Sequence, residues 1–268
     1  MPYAKVNDIN MYYEIHGEGE PCVFIHGAGG NTKMWGGAVP VFSAEYQLVV
    51  FDPRGAGQSD KPDIPYTMEQ MADDLAALLD IIGIESAHLR GTSMGGMIAL
   101  QYVLRYPERV RSLILDRTSC GGHIASMISE EQKHIFDSFL QEKLTVSEML
   151  RELLLISVSE EFLDKNPDYL KWFAPVTENP LPSHVWRHLI QAQFDHDVYD
   201  RLPEIKVPTL VVHGEMDRVI PVENGRLLAS RIPDAELVIF ENAGHALDGV
   251  GNKPNEVVLD FLKRHSQK

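Results

Sequence analysis

Ser93 lies in the run Gly91-Thr92-Ser93-Met94-Gly95-Gly96, between a predicted strand and a predicted helix. A serine hydroxyl becomes a useful nucleophile only where it is exposed, next to a base and close to oxyanion donors. A sharp strand-to-helix turn provides the exposure. Gly91 and Gly95 leave room for it, because Cβ atoms there would crowd the strained backbone of Ser93. The stretch therefore predicts a serine nucleophile for acyl transfer.

Two residues in later loops could complete a catalytic triad with Ser93. His245 is the candidate base, just past the last predicted strand, and Asp217 is the candidate acid, just past an earlier buried strand. Glu215 is the alternative acid. The carboxyl ends of parallel strands meet at one edge of a sheet, so we expect these side chains to lie together. In such a triad the base takes the proton of the serine and the acid orients the base.

A glycine-rich loop, His26-Gly27-Ala28-Gly29-Gly30, follows another apolar strand and could form an oxyanion hole. We expect the backbone amides of Ala28 and Met94 to be its donors, because both lie on glycine-bordered backbone that a substrate oxygen can approach. The ring of His26 is expected to support the loop through hydrogen bonds. The alternative is a glycine loop that serves only tight packing.

Two arginines lie near the same predicted edge. Arg90 precedes the first glycine of the serine turn, and Arg117 follows Asp116 at the end of the next strand. Since buried charges are normally paired, the preferred interpretation is an Arg90–Asp116 pair that bridges neighbouring strands. The alternative is that Arg117 faces the pocket and binds a substrate carboxylate through its guanidinium fork.

Apolar runs between these motifs predict the elements that position them. The predicted strands are 3–6, 11–15, 22–25, 48–51, 87–89, 110–115, 207–212 and 237–240. A capping-box pattern at Thr67–Gln70 opens a predicted helix that ends near Ile82. Further helices are predicted at 97–106, 222–231 and 255–264. Strands that alternate with helices predict an α/β fold with a mostly parallel eight-stranded sheet and helices on both faces.

The alternation of strands and helices stops between residues 121 and 203, where helical patterns occur at 132–140 and 146–156. We therefore expect residues 1–120 and 204–268 to form a core domain and residues 121–203 to form a helical lid over the carboxyl edge of the sheet. Trp186 could supply apolar surface to the substrate pocket, or it could belong to the lid's own core. The alternative to a lid is a set of covering helices with no gating role.

Composition and charge argue against several classes of function. The net charge of −15 disfavours nucleic acid or an anionic membrane as the main partner. No signal peptide or membrane-spanning segment is expected, since no apolar run approaches the about 20 residues that a bilayer requires.

Cys22 and Cys120 lack metal-type spacing and are interpreted as reduced packing residues of a cytoplasmic protein. The glycines of Asp52–Asp60 lack nucleotide-binding spacing, so this loop is interpreted as structural, with Arg54 and Asp52 in a local charge network.

Together the motifs resemble the α/β-hydrolase superfamily, and are most similar to its small esterases and lactonases of the 3-oxoadipate enol-lactonase type. The resemblance rests on five loops, namely 26–30, 52–59, 91–96 and the loops of Asp217 and His245. It implies that Ser93 is the nucleophile, His245 the base and acid, and Asp217 the residue that orients His245. It further implies an oxyanion hole of Ala28 and Met94, and neither a metal nor an organic cofactor.

The implied function is hydrolysis of an ester or lactone of a small organic acid through an acyl-enzyme, so the expected partner is a small molecule. The same triad could instead hydrolyse a C–C bond or act as a cofactor-free perhydrolase or haloperoxidase, because fold and triad do not fix the substrate. Dehalogenases and epoxide hydrolases are disfavoured, since those relatives carry an aspartate where this chain has Ser93. A hydrolase-like ligand receptor is the alternative from another class of function, and an intact triad argues against it.

Overall fold

The computed structural model describes residues 2–122, 128–173, 180–247 and 249–266, apart from the side chain of residue 172. Its strands are β1 Tyr3–Val6, β2 Ile9–His16, β3 Glu20–Ile25, β4 Tyr46–Phe51, β5 Ala87–Thr92, β6 Val110–Asp116, β7 Thr209–Gly214 and β8 Glu236–Phe240. They form one eight-stranded sheet in the order β1-β2-β4-β3-β5-β6-β7-β8. The β1–β2 and β2–β4 pairs are antiparallel and the other neighbours are parallel, which confirms the predicted sheet.

Helices cover both faces of this sheet. They are α1 Val39–Phe42, α2 Met68–Ile81, α3 Met94–Arg105, α4 Glu130–Leu140, α5 Val146–Ile156, α6 Glu160–Lys165, α7 Tyr169–Trp172, α8 Ser183–Asp195, α9 Glu223–Arg231 and α10 Lys253–His265. The hydroxyl of Thr67 accepts the N–H of Gln70 at 3.0 Å, so α2 begins where the capping pattern predicts. None of the described helices is long and apolar enough to cross a bilayer.

Two apolar cores lie on opposite sides of the sheet because successive side chains of a strand point to opposite faces. In β3, Val23 and Ile25 pack in the core that α2, α3 and α9 cover. Cys22 and Phe24 pack in the other core, with α1 and α10. Both cysteines, Cys22 and Cys120, are buried free thiols, and burial raises the pKa of the Cys120 thiol to about 11.

The segment between β6 and β7 is helical in its described residues, which contain α4 to α8 and an isolated bridge between Gly121 and Asp197. Side chains of α4, α5 and α8 join the core beneath α2 and α3; they include Phe136, Phe139, Met149, Leu189 and Ile190. Residues 123–127 and 174–179 of the predicted lid lie outside the described residues. The division into a core domain and a lid stays a prediction.

Candidate active site

Ser93 lies between the end of β5 and the first residue of α3 in a conformation that few side chains adopt, with φ 55° and ψ −124°. Hydrogen bonds hold this conformation from both sides. The N–H of Ser93 donates to the carbonyl of Asp116 at 2.9 Å. Its carbonyl accepts the N–H of Gly96 at 2.8 Å and the hydroxyl of Thr118 at 2.7 Å. The turn is thus strained and fixed by its surroundings, which is a feature of functional sites.

The glycines of this turn are required by close approach of neighbouring backbone. A Cβ on Gly91 would lie 2.6 Å from the carbonyl carbon of Gly95, and a Cβ on Gly95 would lie 2.6 Å from the carbonyl carbon of Ile25. A Cβ on Gly96 would lie 2.5 Å from the Cβ of Thr118. The predicted start of the following helix at residue 97 is therefore wrong. Helix α3 begins at Met94. Glycine is a poor helix former, so Gly95 and Gly96 do not look helical in the sequence, but close packing requires them inside the first turn.

His245 and Asp217 are in direct contact. Nδ1 of His245 lies 2.7 Å from Oδ2 of Asp217, so the ring donates its Nδ1–H to the carboxylate and leaves Nε2 as the free basic nitrogen. The other carboxylate oxygen of Asp217 accepts the N–H groups of Val219 and Ile220, both at 2.8 Å. This arrangement fixes both the orientation of the carboxylate and the tautomer of the imidazole.

Asp217 is held as an anion in a buried position. Burial opposes its ionisation, but the charge of His245 and the hydrogen bonds from His213 and His245 keep the pKa of Asp217 well below its usual range. Glu215, the alternative acid of the sequence analysis, is exposed. The geometry therefore favours Asp217 over Glu215 as the partner of His245.

His213 of β7 is a second imidazole next to Asp217. Its Nε2 lies 2.8 Å from the carbonyl of Ile220 and 3.3 Å from Oδ2 of Asp217. Both neighbours are acceptors, so Nε2 carries the proton of this buried ring. The sequence signal was a histidine that directly follows the apolar run Leu210–Val212 of β7, four residues before the acid.

The predicted oxyanion loop packs directly against the serine turn. A Cβ on Gly27 would lie 3.1 Å from the Cβ of Ser93, and Nδ1 of His26 lies 3.0 Å from the carbonyl of Gly27. Ala28 lines the same cavity as Ser93, while Met94 is buried at the first position of α3. Burial lowers the pKa of His26, which fits a neutral ring that supports the loop. The donor roles of Ala28 and Met94 stay a prediction.

The loop after β4 supports this site, although its charges are paired differently from the prediction. Asp52 accepts two backbone N–H groups, those of Thr32 and Gln58, each at 2.7 Å. Arg54 instead pairs with Asp74 at 2.9 Å and with Asp8 at 2.6 Å. The predicted Arg54–Asp52 network is therefore wrong, because Arg54 reaches α2 and the turn between β1 and β2 while Asp52 binds loop backbone.

A cavity of about 420 Å³ opens above these groups, and Ser93 and His245 both line it. Its other walls come largely from the segment between β6 and β7. The apolar side chains that this segment contributes include Phe136, Leu150, Leu153, Leu154, Phe173 and Trp186. An apolar cleft with a few convergent polar groups is the usual form of a small-molecule site.

Trp186 of α8 connects this helical segment to the oxyanion loop. A Cβ on Gly29, whose φ is +71°, would overlap the indole ring of Trp186, so the ring lies directly on the glycine backbone. Trp186 lines the cavity and also belongs to the main apolar core. Trp186 therefore both faces the pocket and packs in the core, the two positions that the sequence left open. Its role in substrate binding stays a prediction.

Arg90, Asp116 and Arg117 form a cluster at the ends of β5 and β6, in which Arg90 and Asp116 are buried and Arg117 is partly exposed. A guanidinium nitrogen of Arg90 lies 2.8 Å from Oδ2 of Asp116, so the predicted pair between strands is present. Arg117 donates to Oδ1 of the same carboxylate at 2.7 Å and to the carbonyl of His245 at 2.5 Å. Burial opposes the ionisation of Asp116, but the charges of Arg117 and Arg90 keep its pKa well below the usual range.

Arg117 also lines the cavity of Ser93, so the structure leaves its predicted contact with a substrate carboxylate sterically open. In the described part of the chain, no group of three or more His, Cys, Asp or Glu side chains is arranged to hold a metal ion. Ser93 and His245 share one cavity, and nucleophilic attack by Ser93 with His245 as the base stays a prediction.

The chain is similar to known proteins in family profile, sequence and structure. The profile described as alpha/beta hydrolase fold matches residues 20–148 and 165–247. The chain is 32% identical, over 97% of its length and 98% of the relative's, to a protein of Azorhizobium caulinodans provisionally named carbamate hydrolase RutD. It is also 32% identical to the 2-hydroxy-6-oxo-6-phenylhexa-2,4-dienoate hydrolase of Comamonas testosteroni, over 98% of this chain and 96% of that protein.

The solved structures add a lactonase to these relatives. The enol-lactonase of Burkholderia xenovorans LB400 superimposes with a TM-score of 0.86 at 26% identity, and the match covers 98% of this chain and 100% of that one.

Proposed function

Because the chain belongs to the α/β-hydrolase fold family, we propose that it is a serine hydrolase that cleaves a carboxylic ester or lactone of a small organic acid. Its similarity to hydrolases, among them an enol-lactonase, confirms the predicted resemblance to the esterase and lactonase type. In this proposal Ser93 is the nucleophile, His245 the base and acid, and Asp217 the residue that orients His245.

One observation carries the proposal. Nδ1 of His245 contacts the buried carboxylate of Asp217 at 2.7 Å, and His245 lines the cavity that the strained Ser93 also lines. A ring that donates Nδ1–H to an acid presents Nε2 to a nucleophile, which is the division of labour in a serine hydrolase. A merely structural histidine would not need to face a substrate-sized cavity together with a strained serine.

The reaction would proceed through an acyl-enzyme. Oγ of Ser93 attacks the carbonyl carbon while Nε2 of His245 takes the hydroxyl proton. The amides of Ala28 and Met94 stabilise the oxyanion. His245 then protonates the leaving alkoxide as the ester bond breaks. A water molecule, deprotonated by the same Nε2, attacks the acyl carbon; the bond from this carbon to Oγ of Ser93 breaks, the acid leaves, and His245 returns the proton to Oγ. Asp217 remains ionised throughout and stabilises the imidazolium that forms twice in each turnover.

The shape of the cavity limits the substrate. Its volume of about 420 Å³ and the apolar walls contributed by α4, α5 and α8 favour a small substrate with an apolar acyl or alcohol part. The segment that supplies these walls would act as the proposed lid. It contacts the oxyanion loop through Trp186 and Gly29, so its position and the shape of the oxyanion hole are linked.

Hydrolysis of a C–C bond is the second candidate, and the Comamonas testosteroni dienoate hydrolase is the observation that favours it. Such a reaction would use the same nucleophile but a carbon leaving group, which must be stabilised as an enol or enolate before it departs. The relative named as a carbamate hydrolase adds a third carbonyl class that the panel below includes.

The first experiment is labelling with a small fluorophosphonate, read by intact mass, on the wild type and on Ser93→Ala. One label per wild-type chain and none on the variant would support an activated Ser93 next to an open oxyanion site. A folded wild type that is not labelled would contradict the proposed function.

The second experiment is a substrate panel on the labelling-competent enzyme. Matched esters, lactones, carbamates and a vinylogous 1,5-diketone would be compared by kcat/KM. Preference for the esters and lactones supports the first candidate. Preference for the diketone would replace it with C–C hydrolysis on the same triad.

A further inference from the structure

A second cavity, of about 310 Å³, lies beside the first and is separate from the serine. Four residues line both cavities, namely Met34, Trp35, Arg117 and Ala246. The rest of its wall includes Arg90, Asn252 and Asn255, and no acidic side chain of the described residues lines it. Two guanidinium groups therefore face one small space.

The charge of this space is not balanced by the described side chains. Arg90 and Arg117 share the single carboxylate of Asp116, with contacts at 2.8 Å and 2.7 Å. The guanidinium of Arg90 is also surrounded by the rings of Phe24 and Trp35, 5.2 Å and 5.4 Å from their centroids. Among the described side chains, the buried cation of Arg90, the partly buried cation of Arg117 and the one buried anion of Asp116 leave a net positive charge, and a buried charge without a partner is costly.

Two further observations point to an anion. Trp35 is 8% exposed, and its indole N–H has no hydrogen-bond partner among the residues that the structure describes. Pro254 and Asn255 in the first turn of the 13-residue helix α10 also line the cavity, so the positive end of the helix dipole faces it. Glu256 of the same turn is exposed and does not line the cavity. Guanidinium groups, an indole N–H and a helix N-terminus are all donors to a carboxylate.

This second cavity is linked to the proposed base by one side chain. Arg117 donates to the carbonyl of His245 at 2.5 Å while it also contacts Asp116. An anion that drew the guanidinium of Arg117 toward the second cavity would act on the backbone of the residue that carries the base. Occupancy there would therefore alter catalysis without occupying the oxyanion hole.

We propose that the second cavity is a binding site for a small carboxylate, held by Arg90, Arg117 and the indole N–H of Trp35, and that its occupancy is coupled to His245. The carboxylate is either a separate small acid or the free acid end of a substrate that extends past Trp35 from the first cavity. Binding itself does not depend on the proposed function, whereas the coupling does.

The test of binding is a titration of the wild type with acetate, followed by intrinsic tryptophan fluorescence and by Tm, against chloride at the same ionic strength. We expect saturable binding in the millimolar range with acetate and none with chloride. Absence of saturable acetate binding to the folded wild type would overturn the proposal.

Two variants at Asn255 distinguish this site from the oxyanion hole. Asn255 lines only the second cavity and accepts a hydrogen bond from Arg90 at 2.9 Å. Asn255→Asp places a carboxylate inside the cavity and should weaken acetate binding at least about tenfold, since like charges oppose each other there. Asn255→Ala is the control and should keep the affinity within about threefold, because the donors remain. Acetate binding that survives Asn255→Asp unchanged would place the acetate elsewhere and overturn the proposal.

Kinetics distinguish the two sources of the carboxylate. A separate acid should change kcat for a neutral ester without raising its KM in proportion. A substrate's own carboxylate should make an acidic half-ester a better substrate than its neutral methyl analogue, and acetate should compete with it. If fluorophosphonate does not label the enzyme while acetate still binds, the proposed function is contradicted and the carboxylate site is not. If acetate binds but changes the kinetics of neither substrate, the proposed coupling to His245 is overturned.

Discussion

At the scale of single residues, the site depends on how one buried carboxylate is shared. Oδ1 of Asp217 is occupied by two backbone N–H groups, and Oδ2 faces the rings of His245 and His213. Four donors converge on a fully buried side chain, which explains why the acid remains ionised despite burial. The second ring, His213, adds a further donor at Oδ2, 3.3 Å away.

The sequence offers two acids, Asp217 and Glu215, as the residue that orients His245. A pair of isosteric variants tests which of the two it is. Asp217→Asn should lower kcat by about 10³–10⁴-fold, because an amide can stabilise the wrong tautomer of His245 and cannot stabilise its charged form. Glu215→Gln should leave kcat within about twofold, since that side chain is exposed. The measurement is kcat and the fluorophosphonate labelling rate for both variants.

A large loss in Glu215→Gln with little loss in Asp217→Asn would contradict this assignment. Circular dichroism and Tm would establish that both variants are folded before their rates are compared.

At the scale of elements, the strands β5 and β6 are joined at their carboxyl ends by Asp116 and its two arginines. Asp116→Asn should cost about 3–5 kcal/mol in the free energy of unfolding, because it leaves the buried guanidinium of Arg90 and the partly buried one of Arg117 without a carboxylate. Asp73→Asn is the control. The Asp73–Arg105 pair is more than one third exposed, so its loss should cost less than about 1 kcal/mol.

The same carboxylate predicts how stability depends on pH. The folded-state pKa of Asp116 lies below its ordinary value of 3.8, so its contribution is fully present above that pH and is lost as the pH falls further. Urea unfolding between pH 5 and pH 2 should show a steeper acid loss for the wild type than for Asp116→Asn, with the difference below about pH 4. Asp217 contributes in the same direction, so the variant's acid loss should be reduced and not abolished. Equal slopes for both proteins would contradict the assignment.

The contact between α8 and the oxyanion loop supplies another prediction at this scale. Trp186→Ala removes the ring that covers Gly29 and enlarges the cavity. We expect kcat/KM for a short acyl ester to fall about tenfold or more, and preference to shift toward bulkier acyl groups, because positioning and cavity volume both change. Trp186→Phe, which keeps an aromatic ring, is the matched control. A uniform loss across all chain lengths in both variants would indicate a purely structural role.

The elements were more predictable from the sequence than their contacts. Apolar runs and the cap at Thr67 give the strands and α2, because these signals are local. The start of α3 was missed because Gly95 and Gly96 lower helix propensity while tertiary contacts require them. The partners of Arg54 were missed because Asp8 and Asp74 lie 46 and 20 residues away, and such pairing depends on how the strands and α2 assemble.

In the candidate site, too, features that leave a local signal could be predicted and features that depend on assembly of the fold could not. Ser93, Asp217 and His245 could be proposed together because each follows a strand of one parallel sheet, and the order of strands brings their loops to one edge. The second cavity could not be proposed, since its walls come from residues near 35, 90, 117 and 255, and no local pattern joins them.

At the scale of the whole molecule, a protein of net charge −15 encloses a small cationic cluster beside its candidate active site. The electric field of the net surface charge and that of the arginine cluster act at different distances. The surface charge is felt in solution but is screened by salt, with a Debye length of about 30 Å at 0.01 M and about 8 Å at 0.15 M ionic strength. Arg90 and Arg117, which are buried or partly buried, act only at short range and are screened much less.

An acidic substrate therefore meets repulsion on approach and attraction once bound. We expect kcat/KM for an acidic half-ester to rise several-fold between 0.01 M and 0.15 M salt, because screening removes the repulsion that slows association. The neutral methyl analogue should change by less than about twofold over the same range, since it feels neither field strongly. The measurement is kcat/KM for the pair at four or five ionic strengths with an inert salt. If kcat/KM changes equally for both esters, salt acts on the enzyme itself and not on its association with the substrate. If kcat/KM for the acidic ester falls with salt, its association is governed by the nearby arginines and not by the net negative charge of the protein.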